Sequence, residues 1–433
     1  MTKILAGAAP LAGALVAAAT AAQAATMVLT VGPAGQYQTI ASAVGAANAD
    51  TNLANQYIIT VAPGTYTNDT ATINRPLAIV AAVPGSAVIL NETAALPNQK
   101  GILLAYAPLT VDGLTFENAQ IANSLGGNGA GIRSQDTSNY GTLTVRNSTF
   151  INNQMGILTS NNANSFVVLT NNLFMNNGNP NPSYFGHAAY IGQASTLVAI
   201  GNEICGTNIG HDIKSRTAVS VIENNSLYDG TADPNQPSCN IGSSSYALDI
   251  PNGGQAIVIG NIMVQGPASP NLNMVAYGEE GMIFPINSIT FSNNMMQNTA
   301  SSGTAIYDNP SAPVPVQGSN NSFSSSLTQI YPASANQLTG TVGAAGPISP
   351  DGTISNAPSG PALTTAAGTW TWGAAYTGQY AATCGKCYQV NLNGANVSNA
   401  VEMEVANGGN LYVLNGYGWF VWSNGTFVKS QTP

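Results

Sequence analysis

One short pattern (apolar, any, Asn, any, any, apolar) returns seven times along this 433-residue chain. It reads "VRNSTF" at 145–150, "LTNNLF" at 169–174, "IGNEIC" at 200–205, "IENNSL" at 222–227, "IGNIMV" at 259–264, "FSNNMM" at 291–296 and "GSNNSF" at 318–323. "VDGLTF" (111–116) is a degenerate earlier copy with Gly113 in the Asn place. The shortest spacings are 24 and 22 residues, and the longer ones look like the same unit with inserted loops. A unit of this size cannot bury its own core and is stable only when stacked on its neighbours, so the chain reads as a solenoid. An amide at a fixed place in each coil predicts a hydrogen-bonded column of Asn147, Asn171, Asn202, Asn224, Asn261, Asn293 and Asn320 at one bend, as in cross-β stacks. That column favours a parallel β-helix over other β-solenoids and makes these asparagines scaffold.

Each unit carries a second short strand: "GIRSQ" (131–135), "GILTS" (156–160), "AAYIG" (188–192), "HDIKSR" (211–216), "YALDIP" (246–251), "MVAYGEE" (274–280) and "TAIYD" (304–308). Side chains alternate between the two faces of a strand. With Ile132, Ile157, Ala189, Ile213, Leu248, Ala276 and Ile306 turned inward, the outward column is Arg133, Leu158, Tyr190, Lys214, Asp249, Tyr277 and Tyr307. Two residues on, the same face carries Arg216 and Glu279. Coils stack about 4.8 Å apart, so Tyr190, Lys214 and Asp249 are expected side by side. A slip of one residue would turn every side chain to the other face.

Charge is scarce, at 6% of residues against about 25% in an average soluble protein. Nine Lys and Arg and a net charge of −9 leave no basic footprint for nucleic acid. The 44% hydrophobic content in strand-length runs argues against disorder. Residues 1–24 read as a secretory signal: Lys3, an Ala/Leu/Val run and "AQA" before a cut between Ala24 and Ala25. No later run is long enough for a transmembrane segment, so a secreted, periplasmic or cell-surface protein is expected, acting as a monomer. Export permits disulfides. "CGKC" (384–387) reads as a small structural bridge between Cys384 and Cys387, which by elimination pairs Cys205 with Cys239.

Ahead of the coils, "QYQTIASAVGAAN" (36–48) places Ile40, Ala43, Val44 and Ala47 on one helix face, as a cap for the solenoid's open end. "YIITVAPGTY" (57–66) starts the first coil. In these two stretches the chain resembles the pectin lyase-like superfamily, over residues 28 to about 325. The resemblance implies an all-β, right-handed parallel β-helix. That fold hosts lyases, hydrolases, esterases, epimerases and binding proteins, so it does not choose a reaction. The β-helix domain is expected over 25–325. A Ser/Pro/Gly-rich linker is expected over 326–363, and a small β module with all four tryptophans over 364–433. The module's aromatics either stack on sugar rings or form its own core.

Residues 203–280 hold ten of the 27 charged residues, and His187 and His211 fall in or beside this window. The densest stretch is "GHDIKSR" (210–216). Exposed ion pairs contribute only about 0–1 kcal/mol, so stability is a weak reason for such clustering, and a site is expected. Lys214, Tyr190, His211, Arg216 and Asp249 are the candidate catalytic residues; His187, Tyr277, Glu279 and Asp212 are candidate substrate-binding residues. A polysaccharide lyase or uronate epimerase removes the proton α to a sugar carboxylate, which takes a cation to neutralise the carboxylate and a base such as Lys, Tyr or His. "IKSRTAVSVIENN" (213–225) resembles the Lys-Ser…Asn segment of chondroitinase B and alginate lyase-type β-helix lyases. That resemblance places a base at Lys214 and implies calcium as the cofactor to look for. Where those enzymes carry Arg-His-Gly one coil on, this chain has "YALDIPNGG". A glycoside hydrolase would use two carboxyl groups, here Asp212 and Asp249. The third reading is a non-catalytic β-helix that binds envelope polysaccharide. The expected partner in every case is a polysaccharide, acidic for the lyase and epimerase.

Overall fold

The computed structural model describes residues 25–339 apart from 93–94, 138–140, 180 and 182. Beyond 352 it describes 353–356, 363–365, 367–375, 387–400, 402–406, 410–415, 418–423 and 426–429. The expected leader and Cys384 lie outside the described residues. No helix among the described residues is long and apolar enough to cross a membrane.

Three parallel sheets run along the molecule, each taking one strand from each coil. Sheet A has 12 strands, from Thr26–Val31 to Asn336–Thr339; sheet B has ten, from Gly64–Thr67 to Ser322–Phe323; sheet C has ten, from Ala71–Ile73 to Leu327–Tyr331. The chain visits them in turn, as in Val219–Glu223 (A), Ser226–Asp229 (B), Tyr246–Ile250 (C) and Gln255–Ile259 (A again). This is a right-handed parallel β-helix. Its interior holds the inward residues of all three sheets, among them Phe116, Phe150 and Phe174, stacked with centroids 5.1 and 4.8 Å apart. The helix Ile40–Ala49 covers the open end with Ile40, Ala43, Val44 and Ala47 buried. Thr39 caps its N-terminus, and Asp69 accepts the orphan N–H groups of Ile40 and Ala41.

At the bend from sheet A to sheet B, the side chains of Asn172, Asn202, Asn225, Asn261, Asn294 and Asn321 form a buried ladder. Each Nδ2 donates to the next amide oxygen at 2.9–3.1 Å and to a backbone carbonyl of the preceding coil. Only Asn202 and Asn261 of the expected column stand in it. Asn147, Asn171, Asn224, Asn293 and Asn320 sit one residue earlier, with φ from 49° to 59°. Gly113, Gly201 and Gly260 fill that place in their coils, also at positive φ. Asn and Gly both enter the left-handed region at low cost. A Gly-Asn pair therefore aligns with an Asn-Asn pair one residue out of step.

The last coil runs on to Thr339, inside the segment whose composition reads as a linker, and Thr353–Asn356 pairs with Glu402–Ala406 in the C-terminal module. These strands carry little apolar alternation, so composition hides them. Among the described residues the module has two antiparallel sheets of five and four strands. Trp370, Trp372 and Trp422 pack in its core with Val390, Met403 and Phe427, and Trp370 is fully buried. Tyr412 and Val421 rest on Val168, Val198, Ile200 and Val221, apolar residues on the outer face of sheet A. The Cys205–Cys239 disulfide ties the loop after Ser226–Asp229 to sheet B. Cys387 is also disulfide-bonded.

The two asparagines of one bend should respond differently. Asn225→Ala strands buried amide and carbonyl partners and is expected to destabilise by roughly 2–4 kcal/mol. Asn224→Gly, at the left-handed position, is expected to stay within a few tenths of a kcal/mol. Denaturant melts measure both.

Candidate functional site

Sheet C brings the charged strand residues together. Tyr190 pairs in register with Lys214, and Lys214 with Asp249. The outward column then continues through Ala276 to Tyr307, not through Tyr277. Tyr277 pairs with Ile250, is 1% exposed, and donates its hydroxyl to Gly254 O inside the solenoid. Met274, Val275, Ala276 and Tyr277 are four apolar residues in a row, so alternation cannot set the register there. Asp212 also faces inward. It lies in the row of Ala188 and Ala247, both core residues, and is fully buried. Neither Tyr277 nor Asp212 reaches the outward face of sheet C.

The remaining nominated residues form one patch. Asp249, itself fully buried, is approached by two bases: Lys214 Nζ donates to its Oδ2, and His211 Nδ1 lies 3.0 Å from the same oxygen. Lys214 Nζ also donates to Glu280 Oε1 at 3.1 Å. Arg216 donates through Nη2 to Glu280 Oε2 at 2.5 Å, through Nη1 to Asn252 Oδ1 at 2.7 Å, and through Nε to the Tyr190 hydroxyl at 2.8 Å. His187 accepts the His211 backbone N–H at Nδ1, 2.9 Å away, and its ring meets those of Tyr190 and His211. The Tyr246 ring lies tilted against that of His211, with centroids 5.0 Å apart, and its hydroxyl donates to Glu279 Oε2 at 3.0 Å.

The carboxyl groups here have different environments. Burial pushes Asp249 up, but His211 and Lys214 outweigh it and hold its carboxyl below the usual range. Burial likewise works against Glu280, and its bonds to Arg216 and Lys214 prevail and lower it. Glu279 is raised, by burial first and then by the charge of Asp249. His187 is held well below the ordinary histidine range by burial, with His211, Lys214 and Arg216 adding to it. His187 is thus a neutral acceptor that fixes the His211 backbone.

Glu280, Tyr246 and Asn252 belong to this patch and were not nominated from sequence. Glu280 and Asn252 lie on turns after sheet C strands, where strand alternation carries no information. The usable signal was "GEEG" at 278–281, two acids between glycines at positive φ directly after a sheet C strand. For calcium, the carboxylates of the patch are a poor fit: Asp249, Glu279 and Glu280 are each already turned on a cation or a phenol. Among the described residues no group of three or more His, Cys, Asp or Glu is placed to hold a metal ion.

The fold and the patch together define a parallel β-helix protein with a charged patch on one long face. No family model matches the chain, and no curated protein does. Among solved structures it is similar to the PL6 family alginate lyase AlyGC, with a TM-score of 0.39, 13% identity and 74% of this chain covered. The match spans 39% of that chain. It is also similar to an alginate lyase from Paenibacillus sp. str. FPU-7, with a TM-score of 0.40, 15% identity, 74% of this chain and 99% of that one. The likeness is one of stacked coils.

Inside the solenoid Asp212 lies beside Asp229, which accepts from Ser244, Gln265 and Ser269. Burial pushes Asp229 up to about 6 against those bonds, and burial followed by the charge of Asp229 pushes Asp212 well above its usual range. A carboxyl raised in the folded state stabilises below its unfolded value, near 3.8, and that contribution is lost as pH rises through about 6. Asp229→Asn mimics the protonated form. Its melting temperature relative to wild type is therefore expected to be higher at pH 7.5 than at pH 4, by roughly 5 °C. An equal difference at both pH values would contradict this.

Proposed function

We propose that the protein is exported and acts on an acidic polysaccharide, removing the proton α to a uronate carboxylate as a lyase or as an epimerase. The observation that carries this reading is that two cations, Lys214 and Arg216, stand beside two proton-transfer groups, the Tyr190 hydroxyl and the His211 imidazole, on one face of sheet C. The leader-like N-terminus and the disulfides support export.

Lys214 and Arg216 hold the substrate carboxylate where Glu280 now bridges them, and so stabilise the charge that develops as the α-carbon loses its proton. His211, oriented through Nδ1 by Asp249, takes that proton at Nε2. In elimination the electron pair forms a carbon–carbon double bond, the bond to the glycosidic oxygen breaks, and Tyr190 gives that oxygen its proton. In epimerisation the proton returns to the opposite face and no bond to oxygen breaks.

The geometry does not favour a glycoside hydrolase: Asp212 faces the interior and Asp249 is fully enclosed, so neither presents a carboxyl group to a sugar. One experiment sorts the outcomes. A panel of uronic acid polymers is followed by ultraviolet absorbance, reducing ends and exchange of the α proton with solvent. Elimination raises absorbance, hydrolysis gives reducing ends without it, epimerisation gives exchange alone, and a binding protein gives none of these.

On a good substrate, His211→Ala is expected to lower kcat by about 10²–10⁴-fold. Lys214→Ala is expected to abolish turnover and Lys214→Arg to keep part of it, because arginine still holds the carboxylate. Wild-type turnover by Lys214→Ala would overturn this assignment.

A further inference from the structure

The outward column of sheet C contains one more cation, which the patch does not use. Arg133 pairs in register with Leu104 on one side and Leu158 on the other, and Leu158 is followed by Tyr190 and Lys214. The other arginines away from the patch have acid partners: Arg75 lies 3.6 Å from Asp50, and Arg146 lies 3.6 Å from Asp112. Among the described residues no carboxylate lies within ion-pair distance of Arg133. Its Nε and Nη1 are buried and meet no hydrogen-bond partner. Tyr106, half exposed, and Tyr190 are the titratable groups that face it. A guanidinium half-buried without a counter-charge forfeits several charge-assisted hydrogen bonds. Nε and Nη1 are closed off from water, so the side chain must turn outward to present its fork; in a chain with so few cations, its place on the outward column of sheet C calls for a partner there.

We infer that Arg133 is a second carboxylate-binding subsite, which engages a sugar about three units along a polyuronate chain from the one held by Lys214 and Arg216. The spacing supports this. Arg133 and Lys214 are three coils apart, about 14 Å at 4.8 Å per coil. A pyranose with its glycosidic oxygen spans close to one coil, so a chain laid along sheet C presents carboxylates at both places. Tyr190, half-buried between the cations, offers an aromatic surface to an intervening ring, whereas Leu158 is itself covered, packed with Ala130 and Met155. Arginine suits the role because its fork binds a carboxylate through two parallel hydrogen bonds.

This inference rests on the proposed function, and one measurement separates their failures. Size-defined uronate oligomers from dimer to hexamer are tested for kcat/KM with wild type, Arg133→Gln and Arg133→Lys, each first checked for an unchanged melting temperature. Wild type is expected to gain about tenfold between trimer and tetramer, the length that reaches Arg133. The tetramer-to-trimer ratio is expected to fall toward one in Arg133→Gln and to be intermediate in Arg133→Lys, which keeps the charge and loses the fork. Should Arg133→Gln not fold, the Lys variant carries the test, and a wild-type ratio there overturns the subsite. Turnover without a length step, or with the step intact in Arg133→Gln, overturns the subsite alone. No turnover or binding of any uronate by wild type overturns both.

Discussion

The buried amide ladder at the A-to-B bend is the constraint on which the rest of the molecule depends. Each rung requires an asparagine side chain to reach the amide of the coil above and a carbonyl of the coil below. That is possible only if the bend has the same short length in every coil. From Arg146 onward the strands of sheets A and B are separated at that corner by two residues, coil after coil. The other two corners have no such requirement along their length. They hold the inserted segments, such as 230–245 between sheets B and C and 278–287 between sheets C and A. Both of these corners border sheet C. The scaffold therefore keeps one edge invariant and leaves variable loops on either side of sheet C, which carries the charged patch.

Charge on this molecule is sorted by position. The acids that face the interior, Asp212 and Asp229, have their carboxyl groups raised by burial. The acids that face cations in the patch, Asp249 and Glu280, are lowered by them. Asp249 is the sharpest case. It is fully enclosed, yet stays ionised because Lys214 and His211 both reach Oδ2. A buried carboxylate held by two bases is a poor way to gain stability, since desolvation of the charges offsets much of their attraction. It is an effective way to hold a lysine and a histidine at fixed positions at the edge of solvent.

The fold was legible because repetition averages over local ambiguity. Seven copies of one pattern, a capping helix with four inward residues and an even cysteine count all pointed the same way. The errors came where a single residue had to be placed. Asn and Gly are interchangeable at a left-handed position, so the ladder was read one residue early in five coils. Alternation placed Tyr190, Lys214 and Asp249 correctly, because each has an apolar residue before it and the three strands pair without slippage. It failed at Tyr277, where four apolar residues in succession give no phase, and at Asp212, where two consecutive residues of the strand face inward. Glu280 was invisible to alternation because it lies on a turn.

The position of Glu280 shapes how an anionic substrate would enter. Its carboxylate bridges Lys214 and Arg216, so both cations are satisfied before any ligand arrives. A free carboxylate must therefore replace an existing ion pair. The gain is the difference between two similar interactions, not the full worth of a charge-assisted bond. Glu280 is 43% exposed and sits between Gly278 and Gly281, both at positive φ, so it can turn toward water at small cost. Asp249 has no such exit, being fully enclosed. Under the proposed function, then, the two acids on Lys214 have separate parts. Asp249 remains in place and fixes the geometry, while Glu280 yields its place to the substrate carboxylate. A single sugar would gain little by such an exchange, and affinity would accumulate only as a longer chain makes further contacts along the coils.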